Sequence, residues 1–361
     1  QDAPYPGWFL VYLGGSYIHF RDFEVEFSAR YGIRSDGSNN VISGNNVHHT
    51  RSVGIYVHGP DNVVEDNTVW RADDYNCCPT AENPYECGLG TNRQCEGNWP
   101  GAISWGDTSG EVDPAPNLIV RHNVVFHSSG EGFLCMNTDG ATIEDNIAYD
   151  NWALGIDIDT CSYTLIQRNL VYYTADKTWW RGTTNPGHAI MLSNEGNLPY
   201  PIGHDRDVIN NVIIGSNFRY WAETAGSALK NDLIANNTIV ESQGGPPLLI
   251  DAPYDSSATH VNTRFANNLI YRSSGSLASV ATLVGLTFDH NLWSRTPPSN
   301  VYDSDTDVIG DPQLAAPLNP PCTLQKTYPD PAHPEYAYET LTCIPPDGIK
   351  LANASSPAIG K

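Results

Sequence analysis

One short unit, an Asn that precedes a brief apolar run, repeats along most of the chain. It recurs at Asn46, Asn67, Asn123, Asn146, Asn169, Asn211, Asn237, Asn268 and Asn291, and Asp22 takes the same place in the first unit. Where nothing is inserted, successive units begin 21 to 24 residues apart, as at positions 46 and 67 and at positions 22 and 46. A second motif accompanies the Asn and alternates apolar with polar residues, as in Gly155-Ile-Asp-Ile-Asp159. Such alternation is typical of a strand with one buried face.

This period is too short for a repeat of helices, and it fits one rung of a parallel β-solenoid. Each rung buries one face of its strands, and the next rung stacks on it about 4.8 Å away. A recurring Asn at a turn can then bond the turns above and below as an amide ladder. A leucine-rich repeat has a similar length, but its Leu-x-x-Leu-x-Leu signature is missing. The sequence therefore predicts an all-β solenoid of about ten rungs.

The Asn-x-Ile/Val and Gly-Ile-x-Ile units resemble those of secreted right-handed parallel β-helix proteins of the pectate-lyase-like superfamily. The resemblance covers roughly residues 7–312, and the segments Gly310-Asp-Pro-Gln-Leu314 and Ser356-Pro-Ala-Ile-Gly360 resemble the closing part of such proteins. It implies a single right-handed parallel β-helix. It implies little about activity, because this group includes lyases, hydrolases, epimerases, adhesins and structural proteins.

The predicted β-helix occupies residues 1–311, with loop insertions at 71–100, 175–187 and 194–206. Residues 312–361 form a Pro-rich tail that we expect to pack on the β-helix or on a neighbouring subunit. The run from Trp8 to Leu13 is the first predicted strand, and no amphipathic helix precedes it to cover the open end of the stack. Because an uncovered rung exposes backbone groups and apolar side chains, we expect either that processing removed a cap or that another chain covers this end.

The net charge of −22 makes nucleic acid and anionic membranes poor partners, and a polyanionic substrate would need a bridging divalent cation. No apolar run approaches the ~18 residues of a membrane-spanning helix. The eight cysteines are even in number and concentrated in loops, which predicts disulfides and an extracellular or cell-surface location. The cysteines assigned to disulfides are Cys77, Cys78, Cys87, Cys95, Cys322 and Cys343.

Within that set, Cys322 and Cys343 are expected to pair with each other, because they lie in a tail with little core of its own. The four loop cysteines lack the Cys-x-x-Cys spacing that is typical of zinc sites. Cys135 aligns with the inward-facing Ile158 and is predicted to be a free thiol in the core. Cys161 has no evident partner.

When the Gly-Ile strands are set in register, Asp157 and Asp159 face outward, and the two large insertions enter just before this strand. A groove there would hold paired carboxylates, as glycoside hydrolysis requires. The catalytic candidates are Asp157, Asp159, Lys230, Glu131 and Glu223. The glycan-stacking candidates are Trp99, Trp179, Trp180, Tyr220 and Trp221. A polysaccharide lyase would instead use Lys230 or Arg34 as its base, with calcium on Asp157 and Asp159.

The alternative interpretation is that outward Asp side chains are simply solvated. Leu134, Met136 and Met191 also face outward and form an apolar strip that is more typical of an interface. The sequence thus favours a structural protomer of an extracellular filament, sheath or surface layer that associates with copies of itself. The assembly residues would be Trp8, Phe9, Leu10, Val11, Tyr12, Leu13 and Ile359. The second hypothesis is an extracellular carbohydrate-active enzyme or glycan-binding protein with a polysaccharide partner.

Overall fold

The computed structural model describes residues 8–73, 99–106, 115–181, 184–195, 202–256, 258–314, 322–327 and 338–343. The predicted loop cysteines Cys77, Cys78, Cys87 and Cys95, and the predicted assembly residue Ile359, lie outside these ranges. The described chain is built from short strands, one 3-10 helix at Lys177–Trp179 and tight turns. No helix in the described ranges is long and apolar enough to cross a membrane.

The strands follow one another in a regular three-strand cycle. In chain order they are β1 (Phe9–Leu13), β2 (His19–Arg21), β3 (Glu24–Glu26), β4 (Tyr31–Ser35), β5 (Val41–Ser43), β6 (Asn46–His48), β7 (Ile55–Val57), β8 (Val63–Glu65), β9 (Thr68–Trp70), β10 (Gly101–Gly106), β11 (Ile119–Arg121), β12 (Val124–Phe126), β13 (Glu131–Met136), β14 (Thr142–Glu144), β15 (Ile147–Tyr149), β16 (Leu154–Asp159), β17 (Leu165–Gln167), β18 (Leu170–Tyr172), β19 (His188–Asn194), β20 (Asp207–Ile209), β21 (Val212–Ile214), β22 (Phe218–Ala222), β23 (Leu233–Ala235), β24 (Thr238–Val240), β25 (Leu248–Ile250), β26 (Thr263–Ala266), β27 (Leu269–Tyr271), β28 (Ala278–Val280), β29 (Leu286–Asp289), β30 (Leu292–Trp293), β31 (Val308–Ile309), β32 (Cys322–Thr327) and β33 (Tyr338–Cys343).

Every third strand joins the same sheet, so that three parallel sheets run the length of the molecule. Sheet A pairs β1, β4, β7 and each third strand to β28, sheet B runs likewise from β2 to β29, and sheet C runs from β3 to β30 and then β31. Inward side chains stack in register, as Ile103 on Phe133 and Phe133 on Ile156. These columns form one continuous apolar core. The predicted single right-handed parallel β-helix is confirmed.

The amide ladder is also present, between sheets B and C. Each Asn amide donates to the amide oxygen of the next rung at 3.0 to 3.1 Å, and the ladder runs through Asn45, Asn67, Asn123, Asn146, Asn169, Asn211, Asn237, Asn268 and Asn291. The first two members were each placed one residue away: the ladder position is Asn45 rather than the later Asn46, and Phe23 rather than the earlier Asp22 occupies it in the first rung. Asn46 begins β6 and accepts a bond from the indole of Trp70.

The C-terminal strands β32 and β33 form an antiparallel hairpin that packs on the outer face of sheet C. The contact has an apolar part, in which Cys322 joins a cluster with outward aromatic side chains such as Trp70 and Phe126. It also has a buried ionic part: Glu339 accepts a bond from His127 at 2.5 Å and pairs with Lys326 at 2.8 Å. The described part of the tail therefore packs on its own solenoid.

Two disulfides lie within the described residues. Cys322 and Cys343 are bonded, as predicted. The prediction that Cys135 is a free core thiol was wrong, because Cys135 is bonded to Cys161, 26 residues later. Cys135 is the second-to-last residue of β13, and Cys161 lies just after β16 in the adjacent rung. Stacking of the two rungs therefore brings the two cysteines together inside the core.

Candidate functional site

The predicted register of the central strands holds on the outer face of sheet A. One outward column contains Leu134, Asp157, Met191 and Arg219 on β13, β16, β19 and β22. The next contains Met136, Asp159, Ser193 and Trp221 on the same strands. Because neighbouring parallel strands lie ~4.8 Å apart, these side chains form one compact patch.

The connection between β18 and β19 packs against this patch. Asp176 caps the short helix at Lys177–Trp179 by accepting a bond from the backbone N–H of Thr178. Trp179 then packs with Trp152, Leu154 and Met191 in a small buried cluster. Leu134 and Met191 are therefore buried rather than displayed, and they do not form the exposed apolar strip expected from the sequence.

Four acidic side chains meet at this patch, and we call Glu131, Asp157, Asp159 and Glu195 the carboxyl cluster. Glu131 and Asp157 are each only 3% exposed, whereas Asp159 and Glu195 are partly exposed. Burial, together with the nearby carboxylates of Asp157 and Glu195, raises the pKa of Glu131 well above its ordinary value. Burial and the charge of Glu195 raise the pKa of Asp157 in the same way.

The four members differ in how they are held. Asp157 accepts one bond, from the hydroxyl of Ser193 at 2.8 Å. Asp159 accepts two on one oxygen, from the backbone N–H of Glu195 at 2.9 Å and from the hydroxyl of Thr160 at 2.7 Å. Burial raises the pKa of Asp159, and these two bonds act against the rise. Among the described residues, the Oε2 atom of Glu131 is buried with no hydrogen-bond partner.

Glu195 has the pKa most suited to proton transfer near neutral pH. Burial and the charges of Asp159 and Glu223 raise its pKa to about 7. Glu223 itself is exposed at the rim, where it accepts a bond from the indole of Trp221 at 3.2 Å. A carboxyl group with this pKa that still reaches solvent can donate a proton at neutral pH.

Two arginines supply positive charge beside the carboxyl cluster. Arg181 lies 3.7 Å from the ring centroid of Trp99, and its charge counteracts the raised pKa values of Glu131, Asp157 and Glu195. Arg219 pairs with Asp251 at 2.8 Å and lies 4.1 Å from the ring centroid of Trp221. Arg219 also bonds His188 at 2.8 Å, and burial together with the charge of Arg219 lowers the pKa of His188 to about 4.

The aromatic candidates divide into two groups. Trp99 and Trp221 are partly exposed, and each ring has an arginine over it, Arg181 and Arg219 respectively. Trp179 and Trp180 are each 6% exposed: Trp179 stacks on His127 at 4.2 Å, and the Trp180 indole donates to the carbonyl of Thr174. The assignment of Tyr220 to the groove was wrong, because its side chain points into the core beside His260.

Lys230 is the other candidate that lies elsewhere than predicted. Its candidacy required Ala228-Leu-Lys-Asn231 to continue the Gly-Ile strands, but the strand in that position is β22 at Phe218–Ala222. Lys230 instead forms an isolated bridge to Val261, and its N–H bonds Asp232. Lys230 is therefore not on the outward face of sheet A, and Arg34 pairs with Asp36 several rungs away.

Glu195, Arg181 and Ser193 are the members of the site that were not chosen as catalytic candidates. Glu195 follows β19 directly and Ser193 faces outward in the same column as Asp159, so the register carries a signal for both. Arg181 reaches the site from a loop, and no periodic pattern indicates where it lies. Calcium binding at Asp157 and Asp159 stays a prediction.

Comparison with known proteins gives the family of the fold. The sequence model described as the right-handed beta helix region matches residues 9–197 and 90–274. No curated protein matches the chain. Among solved structures, the Dettilon tailspike protein has a TM-score of 0.54 at 14% identity, covering 89% of this chain and 58% of its own.

Two further solved structures align less closely. A mannuronic acid specific polysaccharide family 6 lyase from human gut microbiota has a TM-score of 0.49 at 16% identity, covering 82% of this chain and 75% of its own. A pectate lyase has a TM-score of 0.42 at 16% identity, covering 84% of this chain and 61% of its own. This chain thus spans about three fifths of the length of the tailspike and of the pectate lyase. At such low identity these likenesses concern the fold alone.

Proposed function

The chain belongs to the right-handed β-helix family, and on that premise we propose that it is a glycoside hydrolase acting on an extracellular polysaccharide from the carboxyl cluster. The observation that carries this proposal is the pairing of Glu195 with Asp159. The backbone N–H of Glu195 bonds the Asp159 carboxylate, and the environments of the two side chains differ. Pairs of carboxyl groups with separated pKa values are typical of general acid and base assignments.

In the proposed reaction, Glu195 is the general acid, because its pKa of about 7 keeps a share of the side chain protonated at neutral pH. It gives its proton to the oxygen of the scissile glycosidic bond. Asp159 is the general base, because its two hydrogen bonds favour the ionised form. It takes a proton from the water that attacks the sugar carbon, so that water is added across the bond.

The remaining residues orient the substrate and the two catalytic groups. Ser193 and Asp157 bond each other beside Asp159 and fix the outer face of β16 and β19. Trp99 and Trp221 offer partly exposed rings for sugar stacking. Arg181 and Arg219 keep the local charge of the four acids from excluding a neutral or weakly acidic glycan.

Two variants test the proposal. Glu195→Gln and Asp159→Asn should each lower kcat/KM by ~10²–10⁴-fold on a glycan that the wild type cleaves, measured as reducing ends released. Asp207→Asn, an exposed outward carboxylate on sheet B, is the matched control and should keep full activity. If both site variants keep wild-type rates while folded by circular dichroism, the assignment is wrong. An unsaturated product that absorbs in the ultraviolet would indicate a lyase instead.

An assembly role is the second candidate function, and the exposed side chains of the first rung favour it. Leu10 and Tyr12 on β1 are 52% and 50% exposed, and Tyr17 after it is 81% exposed. We propose that this end of the solenoid contacts another copy of the chain outside the cell, a location that the two disulfides support. Sedimentation across a concentration series tests it: association that Leu10→Asp removes would support assembly, and a monomer at every concentration would contradict it.

A further inference from the structure

A second group of ligating side chains lies on sheet C, near the first rung and away from the carboxyl cluster. Glu24 and Glu26 are the outward residues of β3, on either side of the buried Val25. His48 faces outward on β6, directly beside Glu26 in the parallel register. The His48 Nε2 atom lies 3.2 Å from a Glu24 oxygen and 3.9 Å from a Glu26 oxygen. One ligand atom from each of the three residues falls within 4.8 Å of the others.

The two carboxyl groups of this site face an imidazole rather than a fixed positive charge. Among the described residues, neither Glu24 nor Glu26 pairs with a Lys or Arg, and both lie within 3.9 Å of the His48 ring nitrogen. Tyr338 packs edge-on against the His48 ring at 5.7 Å. Two carboxyl groups close to one imidazole form an arrangement that a cation would stabilise.

The His48 ring is also fixed in the orientation that ligation needs. Its side chain is only 2% exposed and stacks on Trp70 at 4.4 Å. Its Nδ1 atom lies 2.8 Å from Nδ1 of His49, which leaves Nε2 directed at the two glutamates. Metal-ligating histidines usually donate their second ring N–H to a neighbouring acceptor, which fixes the tautomer. His49 can take that role for His48.

We propose that Glu24, Glu26 and His48 bind a divalent first-row transition ion of the zinc class. One imidazole nitrogen and two carboxylate oxygens are ligands that zinc accepts, at about 2.0–2.2 Å, which places neighbouring ligand atoms about 3.4 Å apart. The His48–Glu24 distance of 3.2 Å already meets this spacing. Glu26 reaches it by a small rotation, since its side chain is 39% exposed. Three protein ligands leave one position for water.

The bound ion would join the first two rungs and lie beside the C-terminal hairpin. Glu24 and Glu26 come from the first rung and His48 from the second, so ligation crosslinks β3 to β6 in addition to their backbone pairing. Tyr338 of β33 lies over the same histidine. The ion would therefore stabilise the end of the stack, whether or not the carboxyl cluster is catalytic.

Zinc titration of the full chain tests the proposal. After treatment with a chelator and its removal, isothermal titration with ZnCl₂ should give one site per chain. Glu24→Gln and His48→Gln should each weaken zinc binding at least ~10-fold. Glu24 is half-exposed, so its variant should fold normally and serves if the buried His48→Gln variant does not.

His122 provides the matched control. It lies 3.7 Å from Asp66 and 4.0 Å from Asp145, but it is half-exposed and its neighbours come from two different turns. His122→Gln should leave zinc binding unchanged. Absence of stoichiometric binding in the wild type would overturn the proposal. So would binding that is lost in His122→Gln but kept in Glu24→Gln, because the ion would then belong to a different surface histidine.

Discussion

The amide ladder and the carboxyl cluster both contain buried polar side chains, and they differ in how completely these are hydrogen-bonded. In the amide ladder, Asn146 donates to Val120 and Asn169 and accepts two bonds from Asn123, all at 2.9 to 3.0 Å. In the carboxyl cluster, Asp157 accepts one bond from Ser193, and one oxygen of Glu131 has no partner among the described residues.

This difference suggests separate roles: the amide ladder stabilises the fold, and the carboxyl cluster has polar atoms left for chemistry. A buried polar group that is fully bonded contributes about 0.5–1.5 kcal/mol per bond, and one that loses its partners costs about 1–3 kcal/mol. The ladder uses its polar atoms entirely within the protein. The carboxyl cluster leaves hydrogen-bonding capacity unused, and its raised pKa values reflect the free-energy cost of burying these carboxylates. Perturbed carboxyl groups of this kind occur most often at functional sites.

The largest effect should come from interrupting the ladder in its middle. Asn146→Ala removes four hydrogen bonds and takes from the buried backbone N–H of Asn123 the acceptor that it uses in the ladder. We expect a loss of about 2–4 kcal/mol in the free energy of unfolding, measured by chemical denaturation. The exposed Asn300→Ala is the control and should change stability by less than about 0.5 kcal/mol. A similarly small effect at Asn146 would mean that the ladder is not a source of stability.

Removing an acid from the carboxyl cluster should raise the free energy of unfolding rather than lower it. Asp157→Asn keeps an oxygen that can accept the bond from Ser193 and removes a buried acid, so the variant should gain about 1 kcal/mol at pH ~8 while losing activity. The matched control is Asp232, a buried carboxylate that is paired with Arg206 at 2.9 Å. Asp232→Asn should lose about 3 kcal/mol. If both variants are destabilised equally, the cluster is structural and the contrast with the ladder fails.

The pH dependence of stability sharpens the same contrast. The pKa of Glu195 is raised to about 7 in the folded state, so its favourable contribution is complete below the unfolded value of ~4.3 and is lost as the pH rises through about 7. Wild type should therefore lose more stability between pH ~5 and pH ~8 than Glu195→Gln, by on the order of 1 kcal/mol after solvent screening. Thermal melts of both proteins across that range measure it. Parallel curves of stability against pH for the two proteins would show that the pKa of Glu195 is not raised in the folded state.

A smaller effect than at Asn146 should come from the end of the ladder. Asn45 bonds one neighbouring amide rather than two, because Phe23 occupies the position below it. Asn45→Ala should cost about 1–2 kcal/mol, less than the change at Asn146, by the same denaturation measurement. Equal losses at the two positions would indicate that each rung contributes separately, without the support of amides on both sides.

The sequence predicts the ladder well because its signal is local and periodic. Each Asn precedes a run that must pack inward, so period and composition give the rung count and the faces of β13 and β16. The one-residue error at Asn45 arose because two Asn residues stand side by side and both precede Val47. The misplacement of β22 has a different origin: Ala228-Leu-Lys-Asn231 resembles the Gly-Ile motif, whereas Phe218–Ala222, which forms the strand, does not.

The carboxyl cluster could be predicted only in part, because tertiary contacts complete it. The outward direction of Asp157 and Asp159 follows from alternation alone. The burial of Asp157 does not, because Trp152 and Trp179 come from turns and pack with Met191, its neighbour in the outward column. The bond between Cys135 and Cys161 was missed for a related reason: one cysteine lies in a strand and the other in a turn, and only stacking of rungs joins them.

The hairpin of β32 and β33 changes how we expect the stack to unfold. In a solenoid each rung contacts only its neighbours, so stability is nearly a sum of nearest-neighbour terms and the ends can fray independently. Here one carboxylate, Glu339, bonds His127 of the fourth rung and lies 3.6 Å from Arg71 of the third, while Tyr338 contacts His48 of the second. His127 in turn stacks on Trp179, beside the carboxyl cluster. These contacts add long-range coupling to a nearly one-dimensional system, so that the second to fourth rungs should unfold cooperatively rather than one rung at a time.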